Sequence, residues 1–178
     1  MPEEIEIPTE HLHEQIEEGA EEKKERWTLY LALSTAFMAV LAAFGGLLAG
    51  HHANEALVER MKASDQWNFY QAKNLKEEIA TNTDLVLQAV GKTGIDHSKD
   101  IARYEKEKAD IRKEAEEDEA VSKAHLDKHI PLSRAVTAFQ IAIAISAIAV
   151  LTRRRVLWYA GLVLTAIGIV FLIVGILP

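Results

Sequence analysis

Residues 135–177 read AVTAFQIAIAISAIAVL, then TRRR, then VLWYAGLVLTAIGIVFLIVGIL: two apolar runs split by Thr152 and three arginines. A hydrocarbon core of about 30 Å needs roughly 20 helical residues at about 1.5 Å each. The run from Ala135 to Leu151 is near the lower limit, and the run from Val156 to Leu177 is of full length. One unbroken helix would carry Arg153, Arg154 and Arg155 through hydrocarbon, at about 2.5–3.5 kcal/mol each even on the lenient scale. The sequence therefore predicts two membrane helices, 134–152 and 156–177, joined by a tight basic loop at 153–155.

A third span lies upstream. Thr28 to Ala49, TLYLALSTAFMAVLAAFGGLLA, carries no charge, and Trp27 and Tyr30 stand where an interfacial aromatic belt would put them. The run is longer than a signal-peptide core and its flank is acidic as far as Lys23, so it reads as a retained anchor, transmembrane helix 27–50. Lys23, Lys24 and Arg26 precede this span, and the arginine triplet joins the other two. With three crossings both basic groups share one side, which the positive-inside rule makes cytoplasmic. The N-terminus is then expected on the cytoplasmic side, with residues 51–133 and the C-terminus on the opposite side, in the periplasm where the membrane is a bacterial inner membrane.

Between the spans, residues 51–90 contain neither proline nor glycine and are rich in strong helix formers. Gly91 and Gly94 offer a helix C-cap, Asp96 or Ser98 a new N-cap, and Pro131 a stop. Residues 51–133 thus predict a long antiparallel helical hairpin, coiled-coil-like, with arms 51–90 and 96–130 around a turn at 91–95. A turn centred near Thr93 would pair Leu57 with Ile130, Leu75 with Ile111, Leu85 with Ile101, and Trp67 with Ala120 or Val121. The fold class is an all-α membrane protein with three spans and this hairpin between the first two. The seam is thin, and so polar an arm calls for packing against copies of itself or another protein.

The formal charge of −7 resides in an acidic, partly helical tail, 1–26, where ten carboxylates face three basic residues. An acidic excess of this kind disfavours nucleic acid as a partner. With no cysteine, thiol chemistry and disulfides are excluded.

The segment Ala63 to Lys76, ASDQWNFYQAKNLK, resembles the hallmark of an uncharacterised bacterial membrane family, DUF4337, through Asp65, Gln66, Trp67, Tyr70, Gln71, Ala72 and Lys73. The order of tail, span, long helical stretch and two closing spans resembles that family too. The resemblance implies the architecture and carries no activity.

Two sets of residues are candidates for contact with other chains. Trp67, Phe69, Tyr70, Gln71 and Lys73 form an aromatic and polar group on the first arm. Positions 67 and 69 diverge by about 200° around a helix, so these rings face more than one surface, as at a binding hot spot. Small residues form helix-packing stripes: Ala32, Ala36, Ala39, Ala43, Gly46 and Gly50 in span one, and Gly161, Gly168 and Gly175 at intervals of seven in span three. His125 and His129 are one turn apart, and His51-His52 begin the other arm; such a cluster suits zinc or pH sensing, but no HExxH pattern or third ligand accompanies it. Glu116 to Glu119 lacks the pattern of a calcium loop. Gln140 is the main polar side chain within a span and could bond between helices.

No phosphate loop, nucleophile motif or carboxylate pair stands in a plausible pocket, so an enzyme is not expected, nor any cofactor. The leading expectation is a non-enzymatic, membrane-anchored, homo-oligomeric scaffold whose projecting arms organise or recruit other proteins. Its partners would be the lipid bilayer, itself, and another membrane or periplasmic protein. The alternatives are a passive channel or pore-forming oligomer, and an accessory subunit of a larger membrane complex.

Overall fold

A computed structural model describes the backbone of residues 9–92 and 96–177 and the side chains of residues 26–92 and 96–177. Among the described residues the fold is entirely helical, with no strand. Helix α1 spans Thr9–Ala89, α2 spans Ser98–Thr152 and α3 spans Arg155–Ile176. Each contains a stretch long and apolar enough to cross a membrane. The chain divides into two compact units: Met1–Gly46 with Leu132–Pro178, and Leu47–Pro131.

In the first unit the core is built on a heptad. On α2 the residues Leu132, Ala135, Phe139, Ala142, Ser146 and Ala149 are all buried, and on α3 so are Gly161, Thr165, Gly168, Leu172 and Gly175. A Cβ placed on Gly175 would lie 2.6 Å from Leu132 Cγ, one on Gly168 2.6 Å from Phe139 Cε1, and one on Gly161 2.9 Å from Ser146 Oγ. The residue numbers of these three pairs add to the same constant, so one register holds from end to end. Each knob on α2 fills the hole left by a glycine on α3. Helix α1 contributes Leu31 and Met38, both buried, and Gly45, whose Cβ position lies 3.2 Å from Val136 Cγ2 and 3.4 Å from Leu172 Cδ1. Trp158 Nε1 donates to Ser34 Oγ at 3.1 Å, tying α3 to α1.

The link from α2 to α3 is two residues long. Arg153 adopts the left-handed conformation, φ 53°, and its N–H bonds the Val150 carbonyl; extended Arg154 then caps α3. The basic loop is thus shorter than expected, since Arg155 already belongs to α3.

In the second unit the end of α1 and the start of α2 are both explicit. Gly91, at φ 73°, ends α1: its N–H bonds Gln88 O, and the Lys92 N–H reaches back to Leu87 O at 2.9 Å. This is a Schellman cap, which needs a left-handed residue where glycine carries no Cβ penalty. At the start of α2 the Asp96 carboxylate accepts from the Ser98 N–H and hydroxyl, which holds its pKa below the usual carboxylate value. Thr93, the expected centre of the turn, lies outside the described residues, as do residues 1–8 of the acidic tail.

Two expectations are corrected here. Pro131 does not end a helix; it lies inside α2, which runs on to Thr152. Proline removes one helix donor, but its fixed φ is helical. The buried Leu132 and Ala135 that follow hold the chain in register. The pairing of the arms also differs. His52 meets His125, Ala56 O accepts from Ser122 Oγ at 2.8 Å, Gln66 donates to Glu114, and Asp84 binds His97. As one number rises, the other falls, but α2 is displaced from the expected register. Leu57, Leu75 and Leu85, expected in the seam, are 61%, 57% and 57% exposed. The reason lies in side-chain size: Ala49, Ala56, Ala63 and Ala80 on α1 and Ala115 and Ser122 on α2 are the buried residues, and small side chains let two helices approach more closely than leucines would.

Candidate functional site

The aromatic group of the first arm divides between two faces. Trp67 and Tyr70 are half-buried and meet edge to face, with ring centroids 5.6 Å apart, and Trp67 Nε1 donates to Glu119 Oε1 at 3.2 Å. The same carboxylate oxygen receives Arg60 at 3.3 Å. Lys73 pairs with Glu107 and stands 5.6 Å from the Tyr104 ring. Trp67, Tyr70 and Lys73, three residues apart, therefore belong to the seam between α1 and α2. Phe69, 61% exposed, and Gln71 point away from it.

Around these rings runs a ladder of polar ties. Lys108, only 14% exposed, binds Glu77 at 2.6 Å and Asn74 Oδ1 at 3.0 Å. The bond to Glu77 raises the Lys108 pKa, and the bond to Lys73 lowers that of Glu107. Reading the seam as a strip of apolar pairs misses this ladder. Its signal in the sequence is a period of seven: Ala49, Ala56 and Ala63 are followed at the same spacing by Tyr70, Glu77 and Asp84, the last three half-buried.

Close to the other end of this unit is a histidine group. His52 Nδ1 and His125 Nδ1 are 3.0 Å apart with ring centroids at 5.3 Å, His51 stacks obliquely on His52, and His129 Nδ1 donates to Ala49 O at 2.8 Å. No group of three or more His, Cys, Asp or Glu able to hold a metal occurs among the described residues. A groove of about 840 Å³ flanks the same region, with Leu57 and Leu126 between Arg60, Glu116 and Lys123.

The two small-residue stripes have different fates. Gly161, Gly168 and Gly175 are consumed inside the chain by the knobs of α2. In span one, Ala32, Ala36, Ala39, Ala43 and Gly50 are exposed, and Cβ atoms placed on Gly46 and Gly50 would meet nothing within 4 Å. Ala32, Ala36 and Ala39 form one wall of an open groove of about 470 Å³, with Ala147 and Val150 of α2 opposite. Gln140, expected to bond between helices, also lies exposed.

The described residues thus form a helical protein with three potential membrane helices, a closed glycine seam and an open alanine–glycine face. The chain belongs to the DUF4337 family, a domain of unknown function, whose family model matches residues 27–178. No curated protein and no solved structure matches it.

Proposed function

We propose that this protein is a non-enzymatic scaffold of a bacterial inner membrane: a homo-oligomer held through α1, with an antiparallel hairpin of residues 47–131 on the periplasmic side that organises or recruits other proteins. The observation that carries the reading is the contrast between the glycines of α3, filled from within the chain, and the alanine–glycine stripe of α1, which has no neighbour at Gly46 or Gly50. In lipid, such a face supports close helix contact. A second support is the apolar strip of the first arm, where Leu57, Met61, Leu75, Ile79, Val86 and Val90 are all more than half exposed. A polar environment penalises that exposure until another chain covers it.

The test is the mass of the full-length particle in lipid nanodiscs, with every polypeptide in it identified. Particles containing several copies of this chain support the reading; a monomer across the accessible concentration range overturns it. Stoichiometric foreign subunits without self-association would make the chain an accessory subunit instead. Cysteine labelling at Thr93 that occurs only from the cytoplasmic face would reverse the topology.

A further inference from the structure

The histidines of the 47–131 unit are used neither by the scaffold reading nor by the helix caps, apart from His97. We propose that the paired imidazoles of His52 and His125 form an acid-sensitive clasp between α1 and α2: closed at neutral pH, it loosens in acid at the end of the arm remote from Gly91.

The geometry carries the argument. Two Nδ1 atoms at 3.0 Å must share a single proton, one ring donating and the other accepting. A first added proton is accommodated on the distal nitrogen of the donor ring, and the bond survives. A second must go onto the accepting Nδ1, which removes the acceptor and leaves two cations facing each other. The surroundings do not absorb that charge. The groups acting on His52 are His51 from its own helix and His125, Lys128 and His129 from α2, and all of them oppose its protonation. His129 is itself committed through Nδ1 to the Ala49 carbonyl, one turn along the same contact. Just beyond the pair, Ala56 and Ser122 are fully packed, so separating the rings also separates the Ser122 hydroxyl from Ala56 O.

Burial, followed by these neighbouring charges, lowers the His52 pKa from its ordinary 6.5. The open arm therefore binds protons more tightly than the closed one. Closure is at full strength above the ordinary histidine value and weakens progressively as pH falls below it. At the fold-back end the sign is opposite. The Asp84 carboxylate bonds the ring and the backbone N–H of His97 and raises its pKa. That contact is strongest below 6.5 and fades as pH rises through the raised value. One acidification thus fastens the Gly91 end of the arm and releases the other.

The chain has no cysteine, so Asn54→Cys and Lys123→Cys, both exposed, provide a clean spin-label pair across the contact in the full-length protein in nanodiscs. Between pH 8 and pH 5 the distance distribution is expected to broaden and lengthen, with a midpoint below 6.5. In H52Q/H125Q, which retains amide hydrogen bonding and cannot titrate, it is expected not to move. An unchanged distribution in the unsubstituted pair of helices, or the same shift in the glutamine variant, overturns the clasp. As a readout that needs no histidine substitution, the imidazole resonances of the otherwise native chain should show His52 titrating at lower pH than His97; the reverse order also overturns it.

Discussion

Gly168 faces the ring of Phe139, which is wholly buried, so a methyl group there has nowhere to go. Gly168→Ala should destabilise the 1–46/132–178 unit by about 1–3 kcal/mol, the ordinary cost of overpacking. Gly46→Ala meets open space and should leave the isolated chain unchanged or raise its stability by about 0.5–1 kcal/mol through helix propensity. Thermal unfolding of the two variants in the same micelle checks the contrast; equal effects would mean that α2 and α3 are not seated as described. A second residue-level expectation concerns Asp84. With Asn in its place His97 faces a neutral acceptor instead of a carboxylate, so the His97 resonances should titrate at lower pH in D84N, and the acid strengthening of that contact should weaken. Ser146 fits the same logic from the other direction. Its hydroxyl is buried without a partner, and the residue is tolerated opposite Gly161 because it is small.

At the level of the helix, Pro131 is the sharpest case. It withholds a donor from the carbonyl of residue 127, and restoring that donor with Pro131→Ala should stabilise α2 by up to about 3 kcal/mol. Slower amide exchange across residues 127–135 is the expected sign; faster exchange would show that proline's rigidity supports the helix. Much of the secondary structure was legible. The apolar runs, the proline-free and glycine-free stretch after Ala49, and the Gly91 cap each announce themselves locally. What was not legible is where local signals compete with packing. A proline reads as a stop until Leu132 and Ala135 are seen buried on the far side of it. The register of the arms is set by the grip of Asp84 on His97 and by the close fit of alanines, and neither leaves an apolar signature. Leu57, Leu75 and Leu85, which an apolar seam would bury, face outward instead. For the candidate site, Gly161, Gly168 and Gly175 at intervals of seven lie against side chains of α2, whereas Cβ positions on Gly46 and Gly50 meet nothing within 4 Å, a difference that the equally regular spacing of the two stripes does not announce.

For the whole molecule, the proposed assembly through α1 predicts that the two kinds of small-residue face separate folding from self-association. Gly46→Leu together with Ala39→Leu should leave the helical circular dichroism of the chain intact while reducing the particle mass in nanodiscs toward that of one copy. Gly168→Leu should instead cost folding itself. If the first variant keeps the full particle mass, self-association runs through another surface, and the exposed strip from Leu57 to Val90 is the next to alter. The charge distribution adds a condition on the arms. Their cross-ties, Lys73 with Glu107, Lys108 with Glu77 and Arg60 with Glu119, are partly open to solvent, so raised salt should loosen the arms before it affects the apolar unit.

The knob-and-notch seam between α2 and α3 has a mechanical consequence. Leu132, Phe139 and Ser146 are spaced like pawls, and the three glycines like the teeth they drop into. Between one seating and the next lie seven residues, about 10 Å of travel, and every intermediate position drives a ring or a leucine into backbone. These two helices cannot glide past each other in small steps. Within the apolar unit the pair therefore behaves as one body.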